Sequence, residues 1–83
     1  MIMEKTEILN YVAGVILENV ASDVDREDIK MDSRFVDLGA ESLEVLLVVF
    51  TIEQEKNITF PTDVVYHLRT VGELVDYISS AQK

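Results

Sequence analysis

Cysteine is absent from this 83-residue chain, histidine and proline occur once each, and glycine three times. Each shortage removes a class of chemistry. Without cysteine there is no disulfide staple and no thiolate metal site, so any thiol chemistry must come from an attached group. The same absence fits a reducing compartment, and the protein is expected in the cytoplasm. Gly14, Gly39 and Gly72 are too scattered to form a phosphate-binding loop. His67 stands alone, and Gly39-Ala40-Glu41-Ser42-Leu43 is not a Gly-x-Ser-x-Gly elbow, so a serine-hydrolase triad is not indicated. A surface or helix-end place is expected for His67. The longest apolar run, Val45 to Phe50, is far too short to span a bilayer. Met1-Ile2-Met3-Glu4-Lys5-Thr6 lacks the apolar centre of a signal peptide. No membrane association is expected.

Basic residues are scarce: seven Lys/Arg against 16 acids, a net charge of −9. Nucleic acid is therefore not an expected partner, because binding it needs cations that displace counterions. The acidity favours partners with basic patches and salt-sensitive association. It also keeps a small protein soluble while lowering its stability by self-repulsion. Asp23, Asp25, Glu27 and Asp28 hint at a calcium loop. However, the sixth position from Asp23 is Asp28 instead of glycine, and the twelfth is Arg34 instead of glutamate. No metal site is expected.

What is present is helical periodicity. A chain of this length makes one domain, residues 1–83, with a modest core. Ile8, Leu9, Val12, Val15, Ile16 and Val20 form one stripe, predicting a first helix over Glu4–Val20. The acidic stretch from Ala21 to Asp37 is long for a loop and is expected to carry short structure of its own, with Ile29 and Phe35 as anchors. A second helix runs from near Ala40 or Glu41 to Lys56, stopped by Asn57 and Pro61. A short third covers Thr62–Tyr66, with Thr62 as its cap. Thr70-Val71-Gly72-Glu73 reads as a capping box opening a last helix that buries Val71, Leu74, Val75 and Ile78. Ile58-Thr59-Phe60 is the one short strand candidate. Tyr11, Tyr66 and Tyr77 are expected at the edge of the core. Together these predict an all-α fold, a small four-helix bundle with a long loop between helices 1 and 2 and a short third helix.

The second helix has two apolar faces. At about 100° per residue, Val45, Val48, Val49 and Ile52 make one complete stripe, and Leu43, Leu46, Leu47 and Phe50 make another. A chain this small cannot easily cover both. The first is assigned to the core. The second is assigned to contact with a partner, or to part of a cavity, since exposed apolar patches mark contact sites.

Ser42 stands just after Leu38-Gly39, with Glu41 before it and Leu43 after it. It opens the second helix, where unpaired N–H groups and the helix dipole favour an attached phosphate. No general base lies beside it in sequence. Such a serine suits modification by another protein better than attack on a substrate, although a serine here also makes an ordinary helix cap.

The string Phe35-Val36-Asp37-Leu38-Gly39-Ala40-Glu41-Ser42-Leu43, the helix pattern after it, Pro61 and the closing Val71–Ile78 segment resemble the acyl carrier protein family over nearly the whole chain. The motif of that family centres on Asp-Ser-Leu after a Leu-Gly turn. Glu41 here replaces the usual Asp. The spacing from Phe35 to Ser42 is one position shorter than in the common fatty-acid-synthesis carriers, a spacing also found in polyketide and peptidyl carriers. The resemblance implies a protein that is not an enzyme. It implies a 4′-phosphopantetheine arm attached to Ser42 from coenzyme A by a separate phosphopantetheinyl transferase, with acyl groups held as thioesters on its thiol. It further implies that the second helix is the recognition element. Glu41, Leu43, Glu44, Leu46, Leu47, Phe50 and Glu53 are thus the expected contacts for acyl-transfer and synthase enzymes of fatty-acid, lipid or polyketide assembly. The protein is expected to be a monomer. A peptidyl or aminoacyl carrier is the near alternative; an unmodified helical adaptor that dimerises through helix 2 is the distant one.

Overall fold

The computed structural model describes residues 3–20 and 23–82. Ala21, where the acidic stretch begins, lies outside the described residues. Four α-helices follow one another: α1 (Lys5–Asn19), α2 (Ser42–Lys56), α3 (Thr62–His67) and α4 (Val71–Ala81). The stretch before α2 does carry its own structure, two 3₁₀ turns at Arg26–Asp28 and Phe35–Leu38.

The helices α1, α2 and α4 each begin where side chains satisfy free N–H groups in a capping box. At α1, the Glu7 carboxylate accepts from the Glu4 N–H at 2.9 Å. At α4, Thr70 is the cap as expected. Its Oγ1 accepts from the Glu73 N–H (3.2 Å), and Glu73 Oε1 accepts from the N–H of Arg69 (2.6 Å) and of Thr70 (2.8 Å). Those two backbone donors hold the Glu73 carboxyl below its ordinary value. The expected cap Thr62 is not the cap of α3. Pro61 takes that position, and its fixed φ of −59° leads directly into the helix. At the other end of α2, Asn57 terminates the helix in the left-handed conformation, φ 56°.

The apolar stripes meet as expected. Ile8, Val12, Val15 and Ile16 of α1 pack with Val45, Val48, Val49 and Ile52 of α2 and with Val71, Leu74, Val75 and Ile78 of α4. Leu9 is only partly buried at the margin. Ile29 and Phe35 are both buried, anchoring the long connection. Tyr11 and Tyr77 lie at the edge of the core, Tyr77 against Phe60 with ring centroids 4.7 Å apart. Tyr66 does not. It is 69% exposed, because the short α3 turns Val64 and Val65 toward the core instead. Ile58-Thr59-Phe60 is not a strand. Its polar backbone groups are taken by side chains: Glu53 Oε2 accepts from the Phe60 N–H (2.8 Å), and the Tyr77 hydroxyl donates to the Thr59 carbonyl (3.0 Å).

One tertiary pairing positions the site. The connection runs antiparallel to the segment between α3 and α4. Phe35 N–H donates to Arg69 O (3.1 Å), Val71 N–H to Ser33 O (2.9 Å) and Gly72 N–H to Met31 O (2.7 Å). A Cβ on Gly72 would lie 2.6 Å from Met31 O, so only glycine allows this approach. Among the described residues, no helix is long and apolar enough to cross a membrane.

Candidate functional site

The Phe35–Leu38 turn buries Phe35 and Leu38 and leaves Val36 and Asp37 in solvent. Gly39 closes it at φ 80°, ψ 11°, a left-handed conformation that a side chain would strain. The Gly39 N–H donates to Val36 O (3.2 Å) and the Ala40 N–H to Phe35 O (3.0 Å), so the chain reverses and buries Ala40. Glu41 is then extended, and Ser42 is the first residue of α2.

Ser42 is exposed, and its hydroxyl bonds to no group among the described residues. It is not the helix cap. Glu41 holds that place, in a capping box whose other arm is Glu44 Oε1 accepting from the Glu41 N–H at 2.9 Å. This alters the expected electrostatics. Two carboxylates already sit at the positive end of α2, so the helix terminus alone is a poorer phosphate seat than its position suggests.

A groove of about 340 Å³ opens beside Ser42, walled by Ala40 and Val45, Val36, Leu46, Tyr66 and Leu68, with Arg34 and Arg69 also lining it. A second cavity of about 250 Å³ continues between α2 and α3, toward Val49, Phe50, Phe60 and Thr62. Leu46, Val65 and Tyr66 line both.

Of the expected contact residues, Leu43 (68% exposed), Phe50 (53%) and Leu47 (42%) form an open apolar face on α2. Leu46 is half-buried and belongs to the cavities. Glu41 and Glu44 cap the helix, and Glu53 is tied to Phe60. His67 ends α3 in solvent, its Nδ1 2.6 Å from Asp63 O. Val36, Tyr66, Arg34 and Arg69 were not marked by sequence. Val36 carried a weak signal, as the apolar neighbour of a buried Phe35. The two arginines carried none, because a backbone pairing across half the chain brings them together.

Residues 10–78 match the family described as phosphopantetheine attachment site. The acyl carrier protein of Wolinella succinogenes is 36% identical over 74 residues, covering 88% of this chain and 95% of that one. A crystal structure of an acyl carrier protein from Thermotoga maritima superposes with a TM-score of 0.83 at 22% identity, covering 95% of this chain and 91% of the other, which shows the fold. The hexanoyl acyl carrier protein of the actinorhodin polyketide synthase from Streptomyces coelicolor superposes with a TM-score of 0.76 at 26% identity, covering 84% of each chain.

Proposed function

This chain belongs to the acyl carrier proteins, a family of carriers and not of enzymes whose prosthetic group is 4′-phosphopantetheine, and from that premise we propose that Ser42 bears the arm and that the protein presents acyl thioesters to biosynthetic enzymes. The observation that supports this reading is the state of Ser42: exposed, left out of the capping box beside it, and aligned with a groove.

The residues present fit such an arm. The Gly39 turn sets Ser42 at the rim of the molecule, where a transferase can reach Oγ. The apolar groove behind it has room for part of a chain that folds back. When bound, 4′-phosphopantetheine supplies a flexible tether ending in a thiol that holds acyl groups as thioesters. The protein supplies attachment, solubility and an address. Tethering keeps a cargo at an effective concentration on the order of millimolar at any docked enzyme. Leu43, Leu47 and Phe50 are the docking face, with Glu44 and Glu53 nearby to meet basic patches.

Acyl cargo is favoured over aminoacyl cargo by Ala40-Glu41 before the serine, where peptidyl carriers more often have Gly-His. The pathway is fatty-acid, lipid or polyketide assembly; the polyketide-synthase carrier is one of the related structures. The chain acts as a single-domain monomer in the cytoplasm.

Intact mass spectrometry after incubation with coenzyme A, magnesium and a broad-specificity phosphopantetheinyl transferase tests the attachment. The wild-type chain and Ser33→Ala each gain the mass of one arm, and Ser42→Ala gains none. A wild-type chain that stays bare, or a Ser42→Ala chain that still gains the mass, overturns the reading.

A further inference from the structure

The groove beside Ser42 has the wrong charge for this protein. The chain holds 16 acids and seven Lys/Arg, yet two arginines and no carboxylate line that groove. The pairing of the connection with the α3–α4 segment places them there, since Phe35 N–H donates to Arg69 O while Arg34 bridges Thr70. Among the described residues, no carboxylate forms an ion pair or hydrogen bond with either guanidinium. The Arg34 side chain has no hydrogen bond or ion pair among the described residues; the ion pair found there is Lys5–Asp76. Arg69 Nη1 donates to two backbone carbonyls, Tyr66 O (2.7 Å) and Leu68 O (3.3 Å). A guanidinium has five N–H donors, so most of its fork is unused. Glu73, the carboxylate that feels the Arg69 charge, is engaged by the backbone N–H groups of Arg69 and Thr70.

We infer that Arg34 and Arg69 form a cradle for an oxyanion carried on the Ser42 arm. That anion is either the phosphodiester next to Ser42 or a free carboxylate at the end of a dicarboxylic acyl cargo. The inference rests on Ser42 being the attachment point. Both anions present oxygen pairs that a planar guanidinium fork can grip. The need for the cradle follows from α2: Glu41 and Glu44 occupy its positive end, so a phosphate at Ser42 sits beside two carboxylates. Cations lining the same groove offset that repulsion and draw the arm into the groove instead of into solvent.

Arginine side-chain NMR separates the outcomes. Apo, holo, acetyl and malonyl forms are prepared with labelled arginine, each verified by intact mass. If the phosphodiester is the anion, the Arg34 and Arg69 Nε–H signals move between apo and holo and stay there on loading. If the cargo carboxylate is the anion, they move in the malonyl form and not in the acetyl form. Either movement shrinks at high salt. Arg34→Gln and Arg69→Gln each lower the engaged fraction about two- to five-fold, the range for exposed ion pairs, read from arm phosphorus or carboxylate carbon relaxation. Arginine signals identical in all four forms overturn the cradle while leaving the carrier reading intact. A chain whose mass shows no arm on Ser42 overturns both.

Discussion

Gly39 and Ser42 divide one task between them. Gly39 supplies a left-handed backbone that reverses the chain, and Ser42 emerges three residues later with a free hydroxyl. Leu38 and Ala40, buried on either side of the glycine, fix where that hydroxyl appears. Gly72 does comparable work at a distance, by letting Met31 O approach the first turn of α4. Alanine at that position gains up to about 1 kcal/mol of helix propensity. Against this stands a Cβ 2.6 Å from a backbone oxygen, which cannot swing away as a side chain would. The clash wins. Gly72→Ala is predicted to lose about 1–3 kcal/mol, read as a lower thermal midpoint, and to loosen the pairing that sets Arg34 beside Arg69. An unchanged midpoint would show that the approach is not required.

At the scale of elements, α2 serves two surfaces at once. Val45, Val48, Val49 and Ile52 are buried, while Leu43, Leu47 and Phe50 face solvent along the same helix. The two faces are predicted to respond differently. Ile52→Ala empties a site with no exposure and costs about 2–5 kcal/mol in denaturant unfolding. Leu47→Glu costs under about 1 kcal/mol but slows acyl transfer by partner enzymes. Unchanged rates with every partner would remove Leu47 from the docking face. This division was legible in sequence, since stripes of period 3.6 on a short chain leave one face of α2 uncovered. The caps of α1, α2 and α3 were less legible. Glu4 and Glu41 are unusual at cap positions, and Pro61 displaced the more ordinary Thr62. Tyr66 was misplaced for a related reason: α3 is too short for periodicity to say which of its residues face inward.

The whole molecule explains why the rest of the site could not be read from the chain alone. Its radius of gyration is 11.5 Å, close to the roughly 12 Å expected of a folded chain of this size, so the long connection is laid against the bundle. Composition gives the net charge of −9 but not its distribution. Only the tertiary pairing of residues 31–35 with 69–72 reveals that two of the few cations line the same groove as Ser42. On the proposed reading, the acidic surface meets basic enzymes and the cationic groove holds the arm's own anion. All of this depends on the chain being modified at one serine among Ser22, Ser33, Ser42, Ser79 and Ser80. Fragment-ion mass spectrometry of the protein isolated from its own cells addresses that dependence most directly. The prediction is a phosphopantetheine mass, bare or acylated, on the peptide containing Ser42 and on no other serine. Ser42 found unmodified throughout, or the arm found on a different residue, would contradict it.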